Sequence, residues 1–204
     1  MRPVIVVFAK APVPGRVKTR LSPPLSATDA ARLHEAFVLD TIARWRTSAE
    51  LELHTDVDWD AWHALGVTMR RQTAGDLGPR LLNAFHQLQR PALILGADSP
   101  NLPVAHHAPL LDSAADVTLG PSDDGGYYAI HARRTHPAMF EGVRWSTPHA
   151  LRDTVHACQL AGLSVALGPG WFDVDDAASL RRLMLGNDVP PATAAALATM
   201  KVPA

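Results

Sequence analysis

Short apolar runs alternate with longer amphipathic segments along this chain. Val4–Phe8 is an uninterrupted apolar run and predicts a buried strand. Leu33, Phe37, Val38, Ile42 and Trp45 recur at helical spacing and predict a helix over about 30–45, with Ser26 and Asp29 as its start signal. Segments 51–56 and 67–72 alternate as strands do. Leu81, Leu82, Phe85 and Leu88 place a second helix within 76–90. Residues 92–97 read as a fully buried central strand ending at Asp98. Further strands are predicted over 116–120, 127–132 and 164–167, and helices over about 148–161 and 177–185. This order predicts one three-layer α/β/α domain with a mostly parallel sheet, spanning residues 1–186. A Pro- and Ala-rich tail, 187–204, is expected to pack loosely. Neither an internal repeat nor a dividing linker interrupts the pattern.

Composition narrows the class. The chain has 204 residues, enough for one α/β domain with a full core, and a formal net charge of −1 at pH 7. Nucleic acid is therefore not an expected partner, because the basic residues are local rather than spread over a surface. A single cysteine, Cys158, excludes an internal disulfide framework and reads as buried core. No run of about 18 apolar residues occurs, so no membrane span is expected. The N-terminus lacks a signal-peptide pattern, and a cytoplasmic location is expected. Oligomeric state is left open.

Four segments could carry chemistry. The loop after the first strand holds Lys10, Gly15, Arg16, Lys18 and Arg20. A cationic loop at the carboxyl end of a first strand is where open α/β sheets bind phosphates, although a solvated basic loop has the same composition. Asp98 closes the central strand and could hold a hard cation, or simply form the turn that Asp-Ser-Pro favours. Asp173 and Asp175 share a face of an extended segment, while Asp175 or Asp176 could cap the last helix. In segment 120–130, Gly125 and Gly126 permit close backbone approach, and Asp123 and Asp124 could contact a substrate. The same residues form a strong hairpin signal. Arg80 stands near the start of the second helix, behind Gly75–Gly78, as a surface charge or a ligand contact. The histidines lack zinc-ligand spacing, and no P-loop, Rossmann glycine motif or Gly-x-Ser-x-Gly elbow is present.

Together, segments 8–21, 75–80, 96–100 and 120–127 resemble a glycosyltransferase-A-like family of nucleotide-diphospho-sugar transferases, often labelled the radical-SAM/selenodomain-associated transferase family. The resemblance runs to about Leu185. The wider superfamily includes phospholactate and molybdenum-cofactor guanylyltransferases. It implies a GT-A type sheet whose first loop, through Lys10, Gly15, Arg16, Lys18 and Arg20 with Arg80, holds nucleotide phosphates. It further implies Mg²⁺ or Mn²⁺ held by Asp98 with Asp173 or Asp175. The loop Asp123, Asp124, Gly125, Gly126, Tyr127 would face the sugar or acceptor, with Lys18 and Asp124 as catalytic groups. Segment 173–180 resembles an Asp-Ile-Asp-Thr-Pro-Glu-Asp-Leu motif, but lacks its Thr cap and first-turn Pro, which implies a looser helix start. The implied reaction is glycosyl transfer from a nucleotide-diphospho-sugar to an unknown acceptor. Nucleotidyl transfer with pyrophosphate release is the alternative, and non-catalytic nucleotide binding on the same fold is the second.

Overall fold

A computed structural model describes residues 2–200. Seven strands, β1 (Val4–Ala9), β2 (Glu50–Thr55), β3 (Thr68–Arg71), β4 (Ala92–Gly96), β5 (Val117–Pro121), β6 (Tyr127–Ala132) and β7 (Val165–Leu167), form one sheet. Their order is β3-β2-β1-β4-β6-β5-β7. β1 pairs in parallel with β2 on one side and β4 on the other. Only β6 runs against its neighbours, because a tight hairpin joins it to β5.

The helices are α1 (Ala27–Trp45), α2 (Leu77–Leu88), α3 (His107–Leu111), α4 (Ala150–Leu160), α5 (Ala177–Leu185) and α6 (Pro191–Ala198). Ser26 starts α1 as its sequence suggests, with Oγ accepting from Asp29 N at 3.0 Å. Strand alternation sends Ile5, Val7, Leu53 and Leu93 to one face, against Val38, Ile42 and Trp45 of α1. Val4, Val6, Ala92 and Ile94 go to the other face, against Leu81 and Phe85 of α2 and Cys158 of α4. A third cluster joins Leu33 and Phe37 of α1 to Phe172, Val174, Leu180 and Leu183. That cluster holds segment 172–176 across the carboxyl end of the sheet. Removing a ring as fully buried as Phe37 costs about 3–5 kcal/mol, so the placement is firmly held.

Two expectations need correction. The start of α5 is not loose: Asp176 Oδ1 accepts from Ser179 N at 2.8 Å, and Asp176 N donates to Ser179 Oγ at 3.0 Å. This reciprocal pair replaces the missing Thr and Pro. The tail is not loosely packed either. Asp40 of α1 is buried and caps α6, accepting from Ala192 N at 2.9 Å and from Thr193 N and Oγ1 at 2.7 Å each. Residues 201–204 of that tail lie outside the described residues.

Candidate active site

The chain leaves β1 toward β2 through α1 and later returns to the other side of β1 as β4. The connections after β1 and β4 therefore diverge, and the crevice between their carboxyl ends is the switch point where open sheets bind ligands. Asp98 ends up there because β4 is central and ends two residues earlier. Val174 N donates to the Asp98 carbonyl at 2.8 Å and lays segment 172–176 beside it. Ser99 Oγ lies 2.9 Å from the Phe172 carbonyl and 2.7 Å from Asp173 Oδ1. Asp98 is thus brought to the same place as Asp173 and Asp175, more than 70 residues further along the chain.

Lys18 organises them. Its backbone is left-handed, with φ 47°, an uncommon conformation for a residue with a side chain. The side chain is only 3% exposed. Its Nζ lies 2.6 Å from Asp98 Oδ1, 2.8 Å from Asp175 Oδ1 and 2.7 Å from the Val174 carbonyl. It also stands 5.4 Å from the centre of the Phe37 ring. All three ammonium donors are used. Lys18 is therefore a buried clamp on two carboxylates, with all three donors engaged by protein oxygens in this arrangement. Burial works against its charge, but Asp98 and Asp175 outweigh it and hold the pKa above the ordinary lysine value.

The cluster remains anionic. Burial would raise the Asp98 carboxyl, but the Lys18 ammonium holds it below the usual carboxylate range. Lys18 pairs directly with Asp98 and Asp175, and its charge lowers Asp173 too weakly to offset the rest. Burial, with repulsion from Asp98 and Asp175, pushes Asp173 up to about 6. Arg20 adds one outer charge, with Nη2 at 2.7 Å from Asp175 Oδ2. Hard carboxylate oxygens with surplus negative charge suit Mg²⁺ or Mn²⁺, so the chemistry of this donor set fits such an ion. The three aspartates do not converge as a closed ligand triad. Among the described residues, the three donors that lie within 4.8 Å of one another are those of Asp58, Asp60 and His63, all exposed at the surface.

A cleft of about 370 Å³ opens beside the cluster, lined by Arg20, Asp123, Asp124, Phe172, Asp173 and Arg182 among others. The Arg182 guanidinium lies 3.9 Å over the Phe172 ring and donates to Asp123 Oδ2 at 2.6 Å. Asp124 Oδ1 accepts from Ser122 Oγ at 2.5 Å and from Gly126 N at 2.9 Å, so half of this carboxylate shapes the hairpin. Gly125 has φ +85°, and an added Cβ would collide with the Pro148 carbonyl. These contacts are those of the hairpin alternative, with Asp123 and Asp124 still lining the cleft. Tyr127 does not join them. Its ring packs toward α4, edge to face with Trp145 at 6.3 Å, and its hydroxyl is buried. Tyr128 takes the opposite side, donating to the Pro169 carbonyl at 2.8 Å.

Apart from the contact of Arg20 with Asp175, the rest of the first loop is outside the cluster. Asp56, at the end of β2, accepts from Ala11 N at 2.8 Å and pairs with Arg16 at 3.5 Å. Arg16 and Arg20 are 59% and 66% exposed, and Lys10 is also exposed. Gly15 supplies a positive φ of 78° in the turn between them. Arg80 folds back on its own loop, donating to the Gly75 carbonyl at 2.7 Å and to Gln72 Oε1 at 3.4 Å.

His34 is a residue that sequence reasoning missed. It sits on α1 with its side chain 6% exposed, Nε2 2.9 Å from the Lys10 carbonyl and Nδ1 3.8 Å from Asp98 Oδ1. Burial lowers its pKa below the ordinary histidine value. The available signal was a polar residue in the apolar stripe Ala30, His34, Phe37, Thr41. Phe172 and Arg182, which wall the cleft, were missed as well.

The sheet order and the crevice define a fold of nucleotide-diphospho-sugar transferase type. A crystal structure from Desulfovibrio desulfuricans G20, described as a "putative nucleotide-diphospho-sugar transferase", is 29% identical, with a TM-score of 0.84 over 96% of this chain and 94% of that one. CMP:2-keto-3-deoxy-manno-octonic acid synthetase, solved with CTP, is similar in fold at 16% identity and a TM-score of 0.52, over 90% of this chain and 97% of that one. The bifunctional IspDF of Campylobacter jejuni shares the fold at 7% identity and a TM-score of 0.56, over 89% of this chain and 54% of that one. The chain itself belongs to the family described as "Uncharacterized protein conserved in bacteria (DUF2064)", matched over residues 36–147. No curated protein matches it by sequence.

Proposed function

We propose that this protein is a divalent-metal-dependent transferase that takes a nucleotide-diphospho-sugar and passes the glycosyl group to an acceptor. The observation that carries this reading is the anionic cluster Asp98, Asp173 and Asp175, clamped by buried Lys18 at the switch point and flanked by exposed arginines. The likeness to the Desulfovibrio protein supports the same substrate class. Asp98, with Asp173 or Asp175, would hold Mg²⁺ or Mn²⁺, which when bound supplies Lewis-acid stabilisation of phosphate oxygens.

The protein's own groups do the remaining work. Lys18 fixes the orientation of Asp98 and Asp175 before ligand arrives. Arg16 and Arg20, with Lys10, would neutralise the charge that develops on the departing nucleoside diphosphate. A preorganised donor in a water-excluded site contributes about 3–4 kcal/mol to such stabilisation, and exposed cations such as these contribute less. The second oxygen of Asp124 would accept the proton from an acceptor hydroxyl, with Asp123 and Arg182 bordering that position. Arg80 holds the loop 72–80 through the Gly75 carbonyl and Gln72.

The test is a thermal-shift panel of sugar nucleotides and nucleoside triphosphates, with Mn²⁺, Mg²⁺ or chelator, followed by product analysis. Ligand at a hundred times its Kd stabilises by about 2.7 kcal/mol. The expected result is a metal-dependent shift with a sugar nucleotide, nucleoside diphosphate as product, and loss of both in Asp98→Asn. Triphosphate-specific binding with pyrophosphate release would replace this reading by nucleotidyl transfer. Binding without turnover against a broad acceptor set would favour a non-catalytic role.

A further inference from the structure

His34 has an unresolved hydrogen-bonding position. Its Nε2 faces the Lys10 carbonyl at 2.9 Å. A carbonyl oxygen only accepts, so Nε2 carries the proton and Nδ1 of the neutral ring presents a lone pair. That Nδ1 is buried and has no hydrogen-bond partner. It faces Asp98 Oδ1, another acceptor, at 3.8 Å. The Lys18 ammonium already contacts Asp98 Oδ1, and that side chain is 40% exposed, but His34 Nδ1 has no donor, and a buried lone pair without one is unfavourable.

A divalent cation would supply the missing partner. With metal–ligand bonds of about 2.0–2.2 Å, two ligand atoms of one ion lie from about 3.0 Å apart at a right angle to about 4.2 Å when opposed. The observed separation falls inside that range. Lys18 also contacts Asp98 Oδ1, but it has the Asp175 carboxylate and the Val174 carbonyl as further acceptors. Asp98 can therefore be shared. The second nitrogen of His34 is fixed by the Lys10 carbonyl, the kind of outer bond that orients a ligating imidazole.

We propose that His34 Nδ1 and Asp98 Oδ1 are ligands to one divalent cation, making a mixed nitrogen–oxygen site that selects Mn²⁺ or a similar transition ion over Mg²⁺. The proposal rests on the reading of this crevice as a metal-dependent centre, and adds the nitrogen donor and the selectivity. Mg²⁺ sheds water reluctantly and takes oxygen ligands, whereas imidazole suits transition ions. The arrangement also ties the cation to the first loop, because the ring that would ligate it holds the Lys10 carbonyl.

The test uses Mn²⁺ alone on the full chain. Titration calorimetry and Mn²⁺ paramagnetic resonance measure affinity, and pulsed measurements detect ¹⁴N coupling from a coordinated imidazole. The expected results are bound Mn²⁺ with ¹⁴N coupling, and Mg²⁺ binding roughly tenfold or more weaker. In His34→Gln the side-chain amide can still donate to the Lys10 carbonyl, so the fold is kept, as checked by circular dichroism and melting. That variant should lose the nitrogen coupling and weaken Mn²⁺ binding by at least the roughly 10-fold that losing a mere outer-shell partner costs, with Mg²⁺ binding changed far less. Should His34→Gln unfold, ¹⁵N-histidine labelling of the unsubstituted protein and of Asp98→Asn gives the answer, because coupling from the surface set at His63 would survive that substitution and coupling from His34 would not. Mn²⁺ binding that requires Asp98 but shows no nitrogen coupling overturns the His34 assignment and leaves the metal centre standing. Mn²⁺ binding unaffected by Asp98→Asn, or none at millimolar ion, overturns both.

Discussion

Replacing Lys18 by Met tests how the carboxylate cluster is held. Met keeps an unbranched stem over Phe37 and removes the charge. Three aspartates would then share a partly buried site with only Arg20 at its edge. Breaking a buried pair by removing one partner typically costs about 3–5 kcal/mol. The Asp98 side chain is 40% exposed, so water offsets part of the loss and a value near 3 kcal/mol is expected at pH 8. For a chain of this length, that lowers Tm by about 6–12 °C.

The pH dependence separates this cause from simple packing loss. In the unsubstituted protein, Lys18 holds the Asp98 carboxyl below its ordinary value. The folded state then binds fewer protons than the unfolded one, and the benefit is present above the unfolded pKa and fades as acid protonates the group. In the variant, repulsion pushes the folded carboxyls above their unfolded values. The resulting penalty is full at high pH and disappears as pH falls through those raised values. The first effect is still present at pH 5, above the unfolded carboxylate pKa, so between pH 8 and pH 5 only the second shrinks the difference. Urea unfolding in chelator at pH 8 and pH 5, with m unchanged, should show a markedly smaller gap at pH 5. A loss under about 1 kcal/mol at pH 8, the range of an exposed pair, or equal losses at both pH values, would refute the clamp.

Two further outcomes follow from other parts of the fold. Asp40→Ala removes three acceptor contacts from the start of α6. Hydrogen bonds to charged groups contribute about 1.5–3 kcal/mol each and are not additive here, so a loss near 3 kcal/mol and early proteolysis after residue 186 are expected. Unchanged protease resistance would show that packing alone holds α6. His131 is buried on β6, and burial lowers its pKa to about 4. The unfolded imidazole titrates near 6.5, so the unfolded state binds more protons between the two values. Stability should fall from pH 6.5 to 4, by up to about 3 kcal/mol from this residue. A His131 ring resonance titrating near 6.5 in NMR spectra would refute this.

The sheet was legible because its strands are local apolar runs and its helices local stripes. Val4–Ala9 and Ala92–Gly96 lie almost where their hydrophobicity places them. Helix α6 was not legible, since Pro191–Ala198 has almost no polar face to give a period, and its anchor Asp40 lies about 150 residues away. Asp98, Asp173 and Asp175 could be named from sequence, since turn-forming aspartates at strand ends stand out. Their chemistry could not. Whether Lys18 meets phosphate or carboxylate depends on where a left-handed backbone and the Phe37 cluster aim its Nζ. Tyr127 and Tyr128 are adjacent on β6, so strand alternation sends them to opposite faces, but only the packing around them decides which takes which, Tyr127 against Trp145 and Tyr128 toward His106. The sequence by itself determined the layers, the resemblance of its motif segments to a known family and the residue types available for catalysis. Tertiary structure alone decided which charges face one another, because electrostatic partners at the switch point come from segments up to 157 residues apart and local pattern carries no record of such pairings.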